Sequence, residues 1–131
     1  MRILPLALLL AACSPASPEP DAEPLLYAGG GRDRLCLAGA RVGFIAYGAG
    51  DTNCSVRGRA ERAGEQSLTI VPDGDQDCRI DVQEQGGSLR LGRVAAACAY
   101  YCGPGASFEG KAFSRNASAS PAVDFAGDPL C

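Results

Sequence analysis

The chain has 131 residues, with 12 Lys plus Arg against 15 Asp plus Glu, a net charge of −3. That balance excludes the concentrated basic surface of a nucleic-acid groove, so no nucleic-acid partner is expected. The absence of His excludes a Ser-His-Asp triad, a Cys-His pair and any His-ligated metal site, while seven Cys, 17 Gly and 9 Pro point to turns more than to long helices.

At the N-terminus Arg2 precedes an apolar run from Ile3 to Ala12. A finished membrane helix needs ~20 residues, so this run is too short to span. Its length and flanks are those of a secretory signal. It ends Leu10-Ala11-Ala12-Cys13, which resembles the lipobox of bacterial lipoproteins. The resemblance implies that residues 1–12 are removed and that Cys13 becomes the first residue, carrying three lipid chains, palmitate-type anchors that together hold stably to a membrane. Ser14 follows Cys13; in Gram-negative relatives a residue other than Asp there implies the outer membrane, with the domain facing the periplasm. Residues 13–24 hold four Pro and three acids and read as a stiff, extended tether.

Residues 25–131 read as one small domain with eight aromatics to build a core. Apolar residues alternate with polar ones along Val42–Tyr47, Cys54–Glu61, Ser67–Val71, Cys78–Gln83 and Ser88–Leu91. Period-two alternation with one apolar face is the mark of antiparallel sheet with a wet side. Gly48-Ala49-Gly50-Asp51, Ala63-Gly64-Glu65, Pro72-Asp73-Gly74-Asp75 and Gly86-Gly87 are turn-prone connectors. The fold expected is all-β, a small antiparallel meander closing as a barrel or a sandwich. Ala95–Tyr101 can supply one helical turn, Lys111–Arg115 a further strand, and residues 116–131 a loop-like tail. The outward Arg57, Arg59 and Arg62 read as one solvated row.

With Cys13 acylated, Cys36, Cys54, Cys78, Cys98, Cys102 and Cys131 remain. An even number in a small exported domain predicts three disulfides, in any of fifteen pairings. Cys54 and Cys78 lie on apolar faces of near-neighbouring strands and could meet. Cys36 and Cys131 sit at the two ends of the domain, where a staple would close it. Cys98 and Cys102 would be ~13 Å apart on a straight strand, out of reach of each other unless the chain turns. In the loop-entropy account the Cys54–Cys78 closure would contribute about 3 kcal/mol and the Cys36–Cys131 closure about 5 kcal/mol. Cys102-Gly103-Pro104 opens like a redox motif, but its second Cys position holds Gly105, and the chain offers no His or clear helix start there to support a low thiol pKa.

Two constellations could carry chemistry. Asp73, Asp75, Asp77, Asp81 and Glu84 fall at oxygen-ligand spacings of a calcium loop. Cys78 stands where that loop needs Gly, and the flanks read as strands, so no metal is assigned; convergence of Asp73, Asp75, Asp77 and Glu84 on one point would reopen it. Residues 98–110 gather Tyr100, Tyr101 and Phe108 beside Gly103-Pro104-Gly105. Aromatics on a disulfide-held turn make a contact surface that loses little entropy on binding; in an aromatic-poor domain they equally serve as core.

The block Cys98-Ala99-Tyr100-Tyr101-Cys102-Gly103 resembles one in small uncharacterised periplasmic lipoproteins of proteobacteria. More weakly, Gly103-Pro104-Gly105-Ala106-Ser107-Phe108 followed by Cys131 resembles the turn of the membrane-bound inhibitors of c-type lysozyme, which implies a disulfide-stapled β-barrel that binds a lysozyme. That family's Ser and its Gly-Ala-Arg-Tyr-like loop have no counterpart here: Gly39-Ala40-Arg41 continues with Val42. The function expected is non-catalytic, a binding or envelope-structural role without a cofactor, with a lysozyme inhibitor as the alternative and a calcium-binding β-domain as the second; a lysozyme or another envelope protein is the partner expected besides the membrane.

Overall fold

The computed structural model describes residues 23–131. The signal, Cys13 and all but the last two residues of the expected tether therefore lie outside the described residues. Eight strands follow one another: β1 Leu25–Ala28, β2 Arg34–Ala38, β3 Arg41–Tyr47, β4 Asn53–Gly64, β5 Ser67–Pro72, β6 Ile80–Gln85, β7 Ser88–Leu91 and β8 Ala112–Arg115. Each pairs antiparallel with the next, and β8 returns to β1 through Tyr27↔Arg115 and Ala28↔Ser114. The expected meander is thus a closed barrel, with no sheet edge left open. Among the described residues no helix is long and apolar enough to cross a membrane.

Alternation fills the interior. Val42, Phe44 and Ala46 from β3, Cys54 and Val56 from β4, and Ile80 and Val82 from β6 are buried in one cluster. Phe44 sits at its centre, edge-on to Phe108 at 5.4 Å between ring centroids and tilted against Phe113 at 6.3 Å. Such aromatic pairs add about 0.5–1.5 kcal/mol beyond burial.

The outer face of β3 departs from the wet side expected. Gly43 and Ile45 are buried there, because residues 116–131 fold back across the outside of the barrel. Ala122 and Leu130 pack with Cys36 and Ile45 in a second small core. Leu130 crosses directly over Gly43, where a Cβ would come within 2.5 Å of the Leu130 Cβ. Only glycine lets the tail lie that close. Arg57 donates through Nη2 to the Pro129 carbonyl at 2.5 Å, and the Cys36–Cys131 disulfide fastens the end.

The barrel has two unlike ends. Gly39-Ala40, Glu65-Gln66 and Gly86-Gly87 close one with two-residue turns. Gly86 takes φ +59, the left-handed conformation that such turns demand. Residues 29–33, 48–52, 73–79 and 92–111 form the other end. The last of these contains the 3-10 turn Ala96–Tyr101.

Arg62 does not belong to an outward row with Arg57 and Arg59. It stands opposite Leu68, on the inward-facing side of the β4–β5 pair, and reaches Glu84 at 3.5 Å across the mouth of the two-residue-turn end. Arg59 pairs instead with Glu61 at 3.0 Å.

Candidate functional site

The loop end carries the sequence-predicted binding residues, and its chain is irregular. Irregular backbone cannot use ladder hydrogen bonds, so other ties must hold it. Two disulfides do so: Cys78–Cys98 joins residues 73–79 to the 3-10 turn, and Cys54–Cys102 joins that turn to the start of β4. Cys54, Cys78 and Cys98 are fully buried in the main core.

The pairing of Cys54 with Cys78 is therefore not the one formed, although both side chains do face inward. β5 stands between their strands, while the 3-10 turn brings Cys98 and Cys102 down onto each of them. Cys98 and Cys102 do not bond to each other. Cys36 and Cys131 are joined, as the positions at the domain ends suggested.

Within this frame the three aromatics separate. Phe108 is completely buried and plugs the loop end against Phe44. Tyr101 is half-buried and donates its hydroxyl to Asp75 Oδ2 at 2.7 Å. Tyr100 is 88% exposed, the most exposed large apolar side chain among the described residues. Its ring stands edge-on to Tyr101, centroids 5.3 Å apart. Gly103 donates its N–H to the Asn53 carbonyl, and Ala106 closes a turn on the Gly103 carbonyl, leaving Pro104 and Gly105 exposed.

Asp75 organises the neighbouring loop. Besides the Tyr101 hydroxyl it accepts the backbone N–H groups of Asp77 and Cys78. The Tyr101 hydrogen bond, helped by those two N–H groups, holds its carboxyl below the usual range. Burial first, and then the facing Asp75 carboxylate, push the Tyr101 phenol up to about 12. Glu61, on the barrel wall, is also held low, chiefly by its hydrogen bond from Arg79 and then by Arg59.

The acidic segment does not close a calcium sphere. β6 is extended from Ile80, which carries Glu84 to the two-residue-turn end and its partner Arg62. Asp73, Asp75 and Asp77 stay at the loop end, with Asp75 occupied by the contacts above. Among the described residues no group of three or more Cys, Asp or Glu is placed to hold a metal ion.

The sequence offered no sign of Asp33. It is only 4% exposed and accepts the Tyr47 backbone N–H at 2.8 Å. The ammonium of Lys111, the chain's single Lys, lies 3.7 Å from its other oxygen. In Gly29-Gly30-Gly31-Arg32-Asp33 the Asp reads as an ordinary turn residue; its burial depends on β8 arriving beside β1. Every buried side-chain polar atom among the described residues has a hydrogen-bond partner, so the loop end is a finished surface. Comparison with protein-family models, with curated proteins and with solved structures finds no match to this chain.

Proposed function

We propose that this protein is a lipoprotein of the outer membrane, anchored through Cys13 and facing the periplasm, which binds a protein of the cell envelope through the loop end of its barrel and performs no catalysis. The observation that carries the binding surface is Tyr100, 88% exposed on a 3-10 turn fixed by two disulfides. An aromatic held in place loses little freedom when a partner covers it, and exposed aromatics of this kind dominate interface energies.

Chain direction supports the same reading. β1 starts at Leu25 beside the two-residue turns and runs toward the loop end. A tether over residues 13–24 would enter at the turn end, so Tyr100 would point away from the membrane.

A lysozyme is the partner to try first, because the Gly103–Ala106 turn, exposed at Pro104 and Gly105, lies near Tyr100 in the chain. The oxidised protein is titrated into a panel of lysozymes while cell-wall lysis is followed. Stoichiometric inhibition of one class, lost in Tyr100→Ala, establishes an inhibitor. If no lysozyme is inhibited, co-purification with the anchored protein identifies the envelope partner, and a partner retained equally by Tyr100→Ala overturns the loop end as the binding surface. Labelling with radioactive palmitate tests the anchor; label that persists in Cys13→Ser overturns it.

A further inference from the structure

The side of the barrel formed by β6, β7 and β8 has no tail across it and no role in the binding surface proposed above. Its outward side chains follow from register. Gln83 stands opposite Arg90, and Arg90 opposite Ala112; Gln85 stands opposite Ser88, and Ser88 opposite Ser114. Small residues on β7 and β8 thus lie beside two long amides on β6. The result is a half-open cavity of about 140 Å³ lined by Gln83, Gln85, Ser88, Arg90 and Ala112.

The chemistry of the lining is unbalanced. Arg90 donates one Nη1 hydrogen bond to the Gly110 carbonyl at 2.9 Å, which fixes the guanidinium without neutralising it. Among the described residues no carboxylate lies within salt-bridge distance of it. Elsewhere Arg59, Arg62 and Arg79 have acidic partners, whereas Arg41 and Arg57, on the outside of β3 and β4, like Arg90 have none within salt-bridge distance among the described residues. Among the described residues the side chains of Gln83 and Gln85 hydrogen-bond to no other protein group, and each offers both donors and an acceptor.

We infer that this cavity is a binding site for a single sugar unit bearing a carboxylate. One uncompensated guanidinium calls for one anionic group, and a carboxylate is planar like the guanidinium that meets it. Two primary amides suit hydroxyl groups, which also donate and accept at once, and the Ser88 hydroxyl, already paired with the Ser114 hydroxyl at 3.2 Å, keeps a lone pair to offer. The Ala112 methyl leaves room for a ring to lie on the sheet. Sites for drug-sized molecules begin at roughly 300 Å³, so this one holds one ring rather than a chain.

The test follows backbone amide shifts of the oxidised protein during titration with glucuronate, glucose and acetate. Glucuronate is expected to shift amides in residues 83–90 and 112–114, and to bind about tenfold more tightly than either glucose or acetate, the size of one charge-assisted contact. Arg90→Gln is expected to weaken glucuronate about tenfold, and Ala112→Leu, an exposed substitution that fills the floor, to abolish the shifts with the rest of the spectrum unchanged. Tyr100→Ala leaves the titration as it was, so the result stands apart from the fate of the loop end.

The inference is overturned by an absence of localised shifts at about 50 mM glucuronate, a level that would reveal even millimolar binding. Undiminished binding in Arg90→Gln overturns it too. So does acetate binding as tightly as glucuronate, which would make the cavity a plain anion site, or glucose doing so, which would leave the carboxylate without a role.

Discussion

At one end of the barrel three turns of two residues each join the strands, and the ion pair of Arg62 with Glu84 spans the mouth. At the other end residues 92–111 make a long excursion, held down by Cys54–Cys102, Cys78–Cys98 and the buried Phe108. The turn end is specified locally: each turn needs suitable φ values and the flanking strands do the rest. The loop end is specified by contacts between residues distant in sequence, and most of its stability resides in a few of them. Regular backbone needs little help to stay in place. Irregular backbone that must present a fixed aromatic needs covalent help.

That contrast predicts unequal responses to substitution. Phe108→Ala should cost the most, about 3–5 kcal/mol, because it empties a fully enclosed site between β3 and the loop end. Urea unfolding monitored by circular dichroism reads this directly; a loss below about 1 kcal/mol would mean that the loop end is not part of the core. The double change Cys78→Ala with Cys98→Ala opens a closure with sequence separation 20 and should cost about 3 kcal/mol. Amide exchange should then rise in residues 92–111 and remain slow in β2 to β4.

At the turn end the effects shrink. Gly86→Ala forces a Cβ into φ +59 and should cost about 1–2 kcal/mol. Arg62→Ala breaks a pair whose side chains are 57% and 34% exposed, and should cost at most about 1 kcal/mol in urea unfolding, less in high salt. A loss at Arg62 rivalling that at Phe108 would abolish the distinction between the ends.

The smallest effects are those of pH, and they belong to the loop end. Asp75 is held below its ordinary value when folded, so its contribution is present above about pH 4 and is lost as pH falls through the lowered folded value. Tyr101 is raised from 10.0 to about 12. Its contribution is therefore complete below pH 10 and is lost as pH rises toward 12. Asp75→Asn should flatten the acid limb of a stability–pH curve, and Tyr101→Phe the alkaline one. Phenolate absorbance should show one tyrosine ionising near 12.

The same contrast governs how much could be read in advance. Alternation from Val42 to Leu91 placed five strands correctly, and Gly86-Gly87 announced its turn, because period and turn chemistry are local. Six cysteines announced three bridges. The partner of Cys54 was not legible: facing inward left it a choice that only the path of residues 92–111 settles. Closure as a barrel or a sandwich was expected, and Lys111–Arg115 was read as a strand, but its partner was not legible, since Leu25–Ala28 is four residues long and pairs across the length of the domain. Tyr100, Tyr101 and Phe108 were found as a group, but their three different burials were not. The cavity over Ala112 went unseen, because it depends on which residues stand side by side on three strands. The tail over Gly43 concealed itself for a simpler reason: an apolar outer face on β3 looks like noise until something covers it.

The three disulfides are nested: Cys78–Cys98 lies inside Cys54–Cys102, which lies inside Cys36–Cys131. Cys36, Cys54 and Cys78 therefore all precede any of their native partners when the chain emerges from its N-terminal side. Among the six disulfide-bonded cysteines Cys36 and Cys54 come first in the chain, and a bond between them would be non-native. Were the bonds to form in order of appearance, the Cys36–Cys54 bond would have to be undone by thiol–disulfide exchange before Cys54–Cys102 and Cys36–Cys131 could close.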